Sequence, residues 1–320
     1  LARLGGDEFV VYRAQDTDGD AVRAEAEAIL SVLQRPFEVG GETVELRASI
    51  GFVTNLEPKT ALDDLITRAD LALYSAKARG KGQYQAFVEE MDSEFRYRQR
   101  LKSDLAIAIA EDQLKLVYQP LVDRATRKVA GCEALTRWTH PELGPIPPDV
   151  FIGLAEETGL ISQMTRWVLK TATSECVNWP APISVAVNVS ARDLRGEELA
   201  MHVSEALRAS GLAAGRLEIE VTETALIEDR EGAAARLESL AEKGIGIALD
   251  DFGTGYSSLS YLDGMPFSKL KIDRSFIADI TTSERSRKLM TNVARLGRDL
   301  DLVLVAEGVE TEDQLENIAR

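Results

Sequence analysis

Seven short apolar runs recur along the second two-thirds of the chain, and windows with helical spacing of apolar residues separate them. Strands that alternate with helices indicate βαβ units and a mostly parallel sheet. The runs are apolar on consecutive residues, which is typical of strands covered on both faces. This number of strands favours a (β/α) barrel, with an open doubly wound sheet as the alternative. The predicted strands are Leu116–Pro120, Val129–Leu135, Ile183–Val189, Leu217–Val221, Ile245–Leu249, Leu270–Ile272 and Leu302–Ala306.

In almost every one of these runs, consecutive apolar residues lead into an acidic or amide residue, and in one of them into Lys271 and Asp273. In a (β/α) barrel the C-terminal ends of the strands converge on one face, where the chemistry takes place. A single acidic residue after a strand is usually a helix cap or a solvated loop residue, but six such endings in register are hard to explain in that way. The residues are Glu133, Asn188, Glu220, Asp250, Asp251, Lys271, Asp273 and Glu307.

So many carboxylates in one pocket repel one another unless cations compensate their charge. The chain has only two histidines, so any metal must bind oxygen ligands, which select Mg²⁺ or Mn²⁺, with Ca²⁺ as an alternative. Adjacent Asp250 and Asp251 suit a pair of ions, an arrangement that activates water and stabilises in-line displacement at phosphorus. Lys271 is the positive group available to orient or deprotonate that water, or to hold a phosphate oxygen.

Composition excludes several classes of protein. Lysine and arginine number 37 against 53 acidic residues, which gives a formal net charge of −16. Such a surface repels nucleic-acid polymers and anionic lipid, so neither is an expected partner. No stretch approaches the ~18 apolar residues of a membrane span. Two cysteines cannot form a disulfide scaffold, which fits a reducing cytosol and a cytoplasmic location, although a parent protein anchored in a membrane through a missing N-terminal part is compatible with this.

The first part of the chain has a different pattern. A strand pair is expected around Gly5-Gly6, followed by helices near 21–33 and 61–77 with strands between them. A charge-rich, helix-favouring stretch without Gly or Pro then leads to the barrel. We therefore divide the chain into residues 1–90, a helical linker over 91–108, and residues 109–320.

The second part resembles the EAL-type cyclic di-GMP phosphodiesterases. The likeness covers about residues 100–320, and its motifs are long and occur in order, which makes it specific. They are Glu133–Trp138 (EALTRW), Tyr118–Pro120 (YQP), Asn188–Ser190 (NVS), Glu220–Glu223 (EVTE), Asp250–Leu259 (DDFGTGYSSL), Lys271–Asp273 (KID) and Glu307–Thr311 (EGVET).

The first part resembles the C-terminal portion of a GGDEF diguanylate cyclase domain. The motifs are Arg3–Phe9 (RLGGDEF), Ala48–Gly51 (ASIG) and Ala69–Lys77 (ADLALYSAK). The resemblance implies a tandem protein: a partial α/β, nucleotidyl-cyclase-like GGDEF domain followed by a TIM-like (β/α) barrel whose first strand is antiparallel and whose last strand is missing. Since the segment before Leu1 holds much of the cyclase site in that family, the GGDEF part is not expected to act as a cyclase in this fragment.

The resemblance implies an enzyme that uses two Mg²⁺ or Mn²⁺ ions to open cyclic di-GMP to linear pGpG. Lys271 matches the general base or water-positioning lysine of the family. Glu223 matches the residue that steadies the loop over 251–259. In this family the loop and the helix after it also form a dimer contact, so the resemblance implies a homodimer. The implied ligands are Glu133, Asn188, Glu220 and Asp250 for one ion and Asp250, Asp251 and Glu307 for the other, and the implied substrate contacts are Gln119, Arg137 and Asp273.

Two other functions remain as alternatives. A non-catalytic cyclic di-GMP receptor or regulatory scaffold would bind the nucleotide without cleaving it, but degenerate members of that kind lose metal ligands, and none is lost here. An aldolase that uses Lys271 as a Schiff base is disfavoured, because acidic neighbours keep the ammonium protonated.

A barrel without its last strand would leave two unpaired strand edges, which lowers its stability and favours aggregation.

Overall fold

The computed structural model describes residues 1–12, 19–54, 60–227, 229–253 and 264–318. The chain divides into two compact units, Leu1–Arg100 and Leu101–Arg320. The boundary between them falls within one long helix, Glu90–Ala110, which covers the predicted helical linker. None of the described helices is both long and apolar enough to cross a membrane.

The first unit consists of short strand pairs and two helices. Strands β1 and β2 form the antiparallel pair expected around Gly5-Gly6, and β5 and β6 form a parallel pair. The two helices predicted here are confirmed with small shifts of their ends. The elements are β1 Ala2–Gly5, β2 Glu8–Val10, α1 Gly19–Leu33, β3 Phe37–Val39, β4 Glu42–Val44, β5 Ile50–Phe52, α2 Leu62–Ala78, β6 Tyr84–Ala86 and α3 Glu90–Ala110.

The second unit alternates strands with helices. All seven predicted strands are present, and helices occupy the windows with helical spacing near 148–160, 163–178, 197–210, 231–243 and 283–300. The short helices α6, α8 and α10, each of which follows soon after a strand, were not predicted. The elements are β7 Leu114–Val122, β8 Val129–His140, β9 Gly144–Ile146, α4 Pro148–Thr158, α5 Ile161–Cys176, β10 Ser184–Asn188, α6 Ala191–Arg195, α7 Leu199–Ser210, β11 Leu217–Thr222, α8 Glu223–Ile227, α9 Arg230–Ala241, β12 Gly246–Phe252, β13 Lys269–Ile272, α10 Ser275–Ala278, α11 Glu284–Asp299, β14 Val303–Ala306 and α12 Glu312–Ile318.

The strands of the second unit form one sheet in the order β14-β13-β12-β11-β10-β8-β7, with β9 paired to β8. Strands β8 and β10 to β14 are parallel, and β7 is antiparallel to β8 as expected. A doubly wound sheet reverses its strand order at a switch point. Here the order follows the sequence from one edge to the other, as in a barrel. The fold is therefore a curled, TIM-like half-barrel, and the open-sheet alternative is wrong.

The strands of this sheet are buried on both faces near its centre. In β11 the first five residues are buried, and Ile219 and Val221 alternate with Glu218 and Glu220. Successive side chains of a strand point to opposite faces. One face of β11 is thus apolar, and the other carries acidic side chains, which places charge on the side of the sheet that holds the candidate site.

Candidate metal centre

The candidate residues lie at the C-terminal ends of the parallel strands. The other residues lie within two positions of the ends of their strands, whereas Glu133 lies in the first half of β8, which continues beyond it in antiparallel pairing with β7. Because neighbouring strands are parallel and in register, these ends lie along the same edge of the sheet. The residues brought together are Glu133, Asn188, Glu220, Asp250, Asp251, Lys271 and Glu307.

Lys271 lies at the centre of this group. Its side chain is only 1% exposed, and its Nζ is 3.1 Å from Glu133 Oε2, 3.0 Å from Glu220 Oε2 and 3.0 Å from Asp250 Oδ2. The fourth carboxylate is that of Glu307, with Oε1 at 2.9 Å. Charge-assisted hydrogen bonds of this length hold both partners in place. The lysine therefore connects β8, β11 and β12 with the residue that follows β14.

Two overlapping carboxylate clusters have the spacing of metal ligands. In each cluster the ligand oxygens lie within 4.8 Å of one another, and Asp250 belongs to both. Asn188 joins the first cluster, since its Nδ2 donates to Glu133 Oε1 at 2.7 Å. That hydrogen bond leaves the amide oxygen of Asn188 as its remaining ligand atom. The clusters are Glu133, Glu220 and Asp250, and Asp250, Asp251 and Glu307.

A β-bulge explains how two adjacent residues of β12 serve one site. The pairing of β12 with β13 shifts register between Leu249 and Phe252, and Asp251 has a φ of 54°. Asp is among the residues that tolerate this left-handed conformation, and a bulge re-aims the side chains that follow it. The backbone N–H of Asp251 also donates to Asp250 Oδ1 at 2.8 Å. As a result both carboxylates lie in the cluster with Glu307.

Burial and neighbouring charges shift the pKa values of several side chains in the site. Burial raises the pKa of Glu220 to about 8, with Lys271 opposing the rise and Glu133 and Asp250 adding to it. Burial alone would lower the pKa of Lys271, but the carboxylates of Glu220, Asp250 and Glu133 raise it above its usual range. Burial, and then Asp250, raise the pKa of Asp251. Glu220 and Asp251 therefore retain protons more readily than free carboxyls unless further cations are present.

These residues fit divalent cations. Glu220 is fully buried, and its Oε1 has no hydrogen-bond partner among the described residues, although its Oε2 contacts Lys271. A buried carboxylate oxygen without a partner is costly, and a metal ion would satisfy it. The two clusters contain five carboxylates against one ammonium, which leaves four formal negative charges when all are ionised. Two divalent ions would neutralise this charge, and oxygen ligands select hard cations.

The remaining predicted residues lie around this centre. Gln119 on β7 is opposite Glu133 in the register of β7 and β8. Arg137 is exposed, and Asp273 follows β13 and accepts a hydrogen bond from the backbone N–H of Ser275 at 2.9 Å. Glu223 begins α8 and is buried. Most of the loop over 251–259 lies outside the described residues, so the expected role of Glu223 and the dimer contact are still predictions.

A buried hydrogen-bond network fixes the segment that follows Asn188. The carboxylate of Asp193 accepts from Ser162 Oγ at 2.7 Å, Thr165 Oγ1 at 2.7 Å and Ser190 Oγ at 2.8 Å. Ser190 in turn caps α6 by accepting from the N–H of Asp193. This network was not predicted, although the Ser-x-x-Asp spacing at 190–193, which is close to a capping box, is a sequence signal for it.

A second ion pair inside the sheet was also missed by the sequence analysis. Lys269 Nζ is 2.6 Å from Glu218 Oε1, and both side chains are largely buried. Glu218 and Lys269 precede Glu220 and Lys271 by two residues on β11 and β13, so they share the inner face of the sheet with the site. Charged residues at alternate positions of otherwise apolar strands are the signal for this pair.

Comparisons with known proteins agree with both units. The family model described as EAL domain matches residues 102–320, and the model described as diguanylate cyclase, GGDEF domain, matches residues 1–83. The EAL match begins next to the boundary of the second compact unit at Leu101. Together the two models account for most of the chain.

Two relatives whose names state an activity align with nearly the whole of this chain. It is 39% identical to the bifunctional diguanylate cyclase/cyclic di-GMP phosphodiesterase MucR of Pseudomonas aeruginosa, with 100% of this chain and 47% of MucR covered. It is 38% identical to the cyclic di-GMP phosphodiesterase NbdA of the same organism, with 98% of this chain and 41% of NbdA covered. The chain thus spans less than half the length of these relatives.

A solved structure matches the second unit. It is described as the PaMucR phosphodiesterase in complex with c-di-GMP, and it aligns with a TM-score of 0.65 and 42% sequence identity. The alignment covers 69% of this chain and 91% of the other. The EAL domain of Mycobacterium smegmatis DcpA also matches, with 33% identity and a TM-score of 0.54 over 64% of this chain and 83% of the other.

Proposed function

The chain belongs to the EAL domain family, with part of a GGDEF domain before it, and we propose that it hydrolyses cyclic di-GMP to linear pGpG. The proposed cofactors are two divalent cations, Mg²⁺ or Mn²⁺. The observation that carries this proposal is the pair of overlapping carboxylate clusters that share Asp250. The names of MucR and NbdA, which are similar over nearly the whole chain, support the choice of substrate.

Each ion has its own set of ligands in this proposal. Asp250 belongs to both carboxylate clusters and would serve both ions, and the buried Oε1 of Glu220 would be available to the first. The ions, when bound, activate the attacking water and neutralise charge on the phosphoryl oxygens. The first ion would be held by Glu133, Asn188, Glu220 and Asp250, and the second by Asp250, Asp251 and Glu307.

The protein's own residues orient the reactants. Lys271 fixes the carboxylates through its four ion pairs and is the positive group that orients or deprotonates the water or contacts a phosphate oxygen. Arg137 is exposed, and its planar guanidinium suits two oxygens of a phosphate. Gln119 and Asp273 complete the proposed substrate contacts, and Glu223 is proposed to steady the loop over 251–259. A cytoplasmic location and a homodimer complete the proposal.

Product analysis tests the proposed function. The 320-residue chain is incubated with cyclic di-GMP and Mn²⁺, and nucleotides are separated by chromatography. We expect pGpG to form, its formation to stop with a chelator, and Glu133→Ala to lower the rate at least ~1000-fold, since catalysis by a metal centre depends on its ligands. Glu205→Ala, which removes an exposed carboxylate on α7, should have the wild-type rate.

Two results would contradict the proposal. Equal turnover after chelation would mean that the carboxylate clusters do not act through metal ions. Tight binding of cyclic di-GMP without any product at saturating Mn²⁺ would identify the chain as a receptor rather than a phosphodiesterase.

A further inference from the structure

A second buried lysine–glutamate pair lies directly beside the proposed metal ligands. The side chain of Lys269 is 15% exposed and that of Glu218 is 9% exposed, with Nζ and Oε1 at 2.6 Å. Both belong to strands that also carry site residues, Glu220 on β11 and Lys271 on β13. The proposed mechanism uses neither member of the pair. A buried ion pair adds little stability when compared with apolar residues of similar volume, so its position needs another explanation.

The register of the strands shows what Lys269 would otherwise contact. Glu220 lies opposite Ala248 on β12, and Ala248 lies opposite Lys269 on β13. Lys269 is thus in the same row of the sheet as Glu220. Its ammonium nevertheless pairs with Glu218, which lies one step lower on the inner face, opposite Gly246. Gly246 and Ala248 have no long side chain that would separate the lysine from either glutamate.

Glu220 has an oxygen that a second ammonium would contact. Its Oε2 is 3.0 Å from Lys271, whereas its buried Oε1 has no partner in the part of the chain that the structure describes. A lysine without Glu218 would lose its only described ion pair, and a buried charge without a partner is strongly unfavourable. The nearest carboxylate in its own row is Glu220. An ammonium there would occupy the oxygen that is proposed to take the first divalent cation.

We propose that Glu218 is a positioning residue of the metal site, which keeps the Lys269 ammonium away from Glu220. The inference rests on the proposed function, because it concerns the ligand set of that site. Glu218 touches neither ion nor substrate in this proposal. It acts through Lys269, so that only Lys271 among the inner-face lysines of β13 pairs with the ligand carboxylates.

Mn²⁺ titration of four proteins tests this role. The wild type, Glu218→Gln, Lys269→Met and the double variant are titrated without nucleotide, and free Mn²⁺ is measured by electron paramagnetic resonance. Glu218→Gln should raise the dissociation constant at least about fivefold, since a cation repels another at short range in a medium of low effective dielectric. The double variant lacks the competing ammonium and should return to within about twofold of the wild type.

The double variant separates positioning from a purely structural role. If the ion pair only stabilised the fold, removing both partners would not restore Mn²⁺ affinity. The proposal is overturned if Glu218→Gln binds Mn²⁺ like the wild type, or if Lys269→Met fails to restore binding in the double variant. Thermal unfolding in the presence of chelator shows which variants are folded. If Glu218→Gln does not fold, Glu218→Ala is titrated instead, alone and combined with Lys269→Met.

The outcome is independent of turnover. A wild-type chain that binds Mn²⁺ but leaves cyclic di-GMP intact would contradict the proposed function and still allow the titration to decide the role of Glu218. Where the wild type does form pGpG, Glu218→Gln should need a higher Mn²⁺ concentration for half-maximal rate and reach the wild-type rate at saturation.

Discussion

Lys271 carries a charge into a part of the sheet where its side chain is only 1% exposed. Removing an ion from water costs several kcal/mol, which only close and well-oriented partners offset. Here four carboxylates supply those partners at 2.9 to 3.1 Å. The dependence is mutual, because each of the four carboxylates is paired with the same ammonium. The lysine is therefore part of the structural balance of the site as well as of its proposed chemistry.

Lys271→Met tests this balance. Without the ammonium, the carboxylates are left buried and uncompensated, which typically costs about 3–5 kcal/mol. In a unit of this size we expect the unfolding temperature in chelator to fall by roughly 6–20 °C. Mn²⁺ should raise it again by more than it does in the wild type, because metal ions then supply the missing positive charge.

Calorimetry with and without Mn²⁺ measures this effect, and Lys288→Met is the matched control. Lys288 forms an exposed pair with Glu284 on α11, so its replacement should leave the unfolding temperature nearly unchanged. An unchanged unfolding temperature for Lys271→Met in chelator would show that the four ion pairs contribute no net stability.

The identities of the site residues follow from the sequence to different degrees. Glu133, Asn188, Glu220, Asp250, Asp251, Lys271 and Glu307 were predicted from their positions after apolar runs, and the structure brings them together. The pair of Glu218 and Lys269 was missed, because Glu218 lies inside one predicted strand and Lys269 directly precedes another, and alternate charged positions do not reveal which side chains pair. Their contact spans 51 residues of chain, so only the folded sheet reveals it.

At the level of elements, the end of β12 determines how the two carboxylate clusters share Asp250. The bulge at 250–251 is followed by Gly253, which has a φ of 99°. A Cβ at this glycine would collide with the ring of Phe276 on α10. The close approach of α10 to the end of β12 therefore depends on the absence of a side chain. Alternation of apolar and polar residues did not predict the bulge, since a bulge is defined by pairing with a neighbouring strand.

Gly253→Ala tests how firmly this approach is fixed. The variant combines an unfavourable φ with a steric collision, and we expect it to lose about 2–4 kcal/mol of unfolding free energy. Gly211→Ala is the matched control, because Gly211 has a φ of 72° but no atom near its Cβ position. The control should lose only about 1 kcal/mol.

Urea unfolding measures both variants, and a second substitution separates the two causes. Phe276→Leu in the Gly253→Ala background should recover the part of the loss that exceeds the control. Equal losses for Gly253→Ala and Gly211→Ala would mean that the ring yields freely and that α10 is not fixed against β12.

At the level of the whole molecule, the two compact units are expected to respond differently to metal ions. All ligands of the proposed centre lie within residues 101–320. A ligand that binds only the folded state stabilises it by about 2.7 kcal/mol when present at a hundred times its dissociation constant. The effect belongs to the unit that contains the site, and a chain with two units need not unfold in one step.

Differential scanning calorimetry checks this expectation. Mn²⁺ should raise the unfolding temperature of the transition assigned to residues 101–320 by roughly 5–10 °C. The transition of residues 1–100 should stay in place, and Glu133→Ala should abolish the shift. Equal shifts of both transitions, or a shift that persists in Glu133→Ala, would contradict the assignment of the metal site to the second unit.

The sequence alone determined the alternation of strands and helices and the chemical character of the site. Strands that are buried on both faces are apolar, and polar residues of a barrel site follow at their C-terminal ends. Both features can therefore be recognised from short stretches of sequence. The family motifs added the antiparallel first strand, which β7 confirms. Asp250 and Asp251 stood out because two adjacent acids after an apolar run have no simple packing role.

Only the tertiary structure decided which charges contact one another. Lys271 lies 138 residues from Glu133 along the chain, and Lys269 pairs with Glu218 rather than with Glu220 in its own row. Such choices depend on strand tilt, register and the bulge in β12, which are set by pairing between distant segments. A local pattern predicts which side of a strand a residue occupies, but the partner across the sheet is fixed only when the strands have assembled.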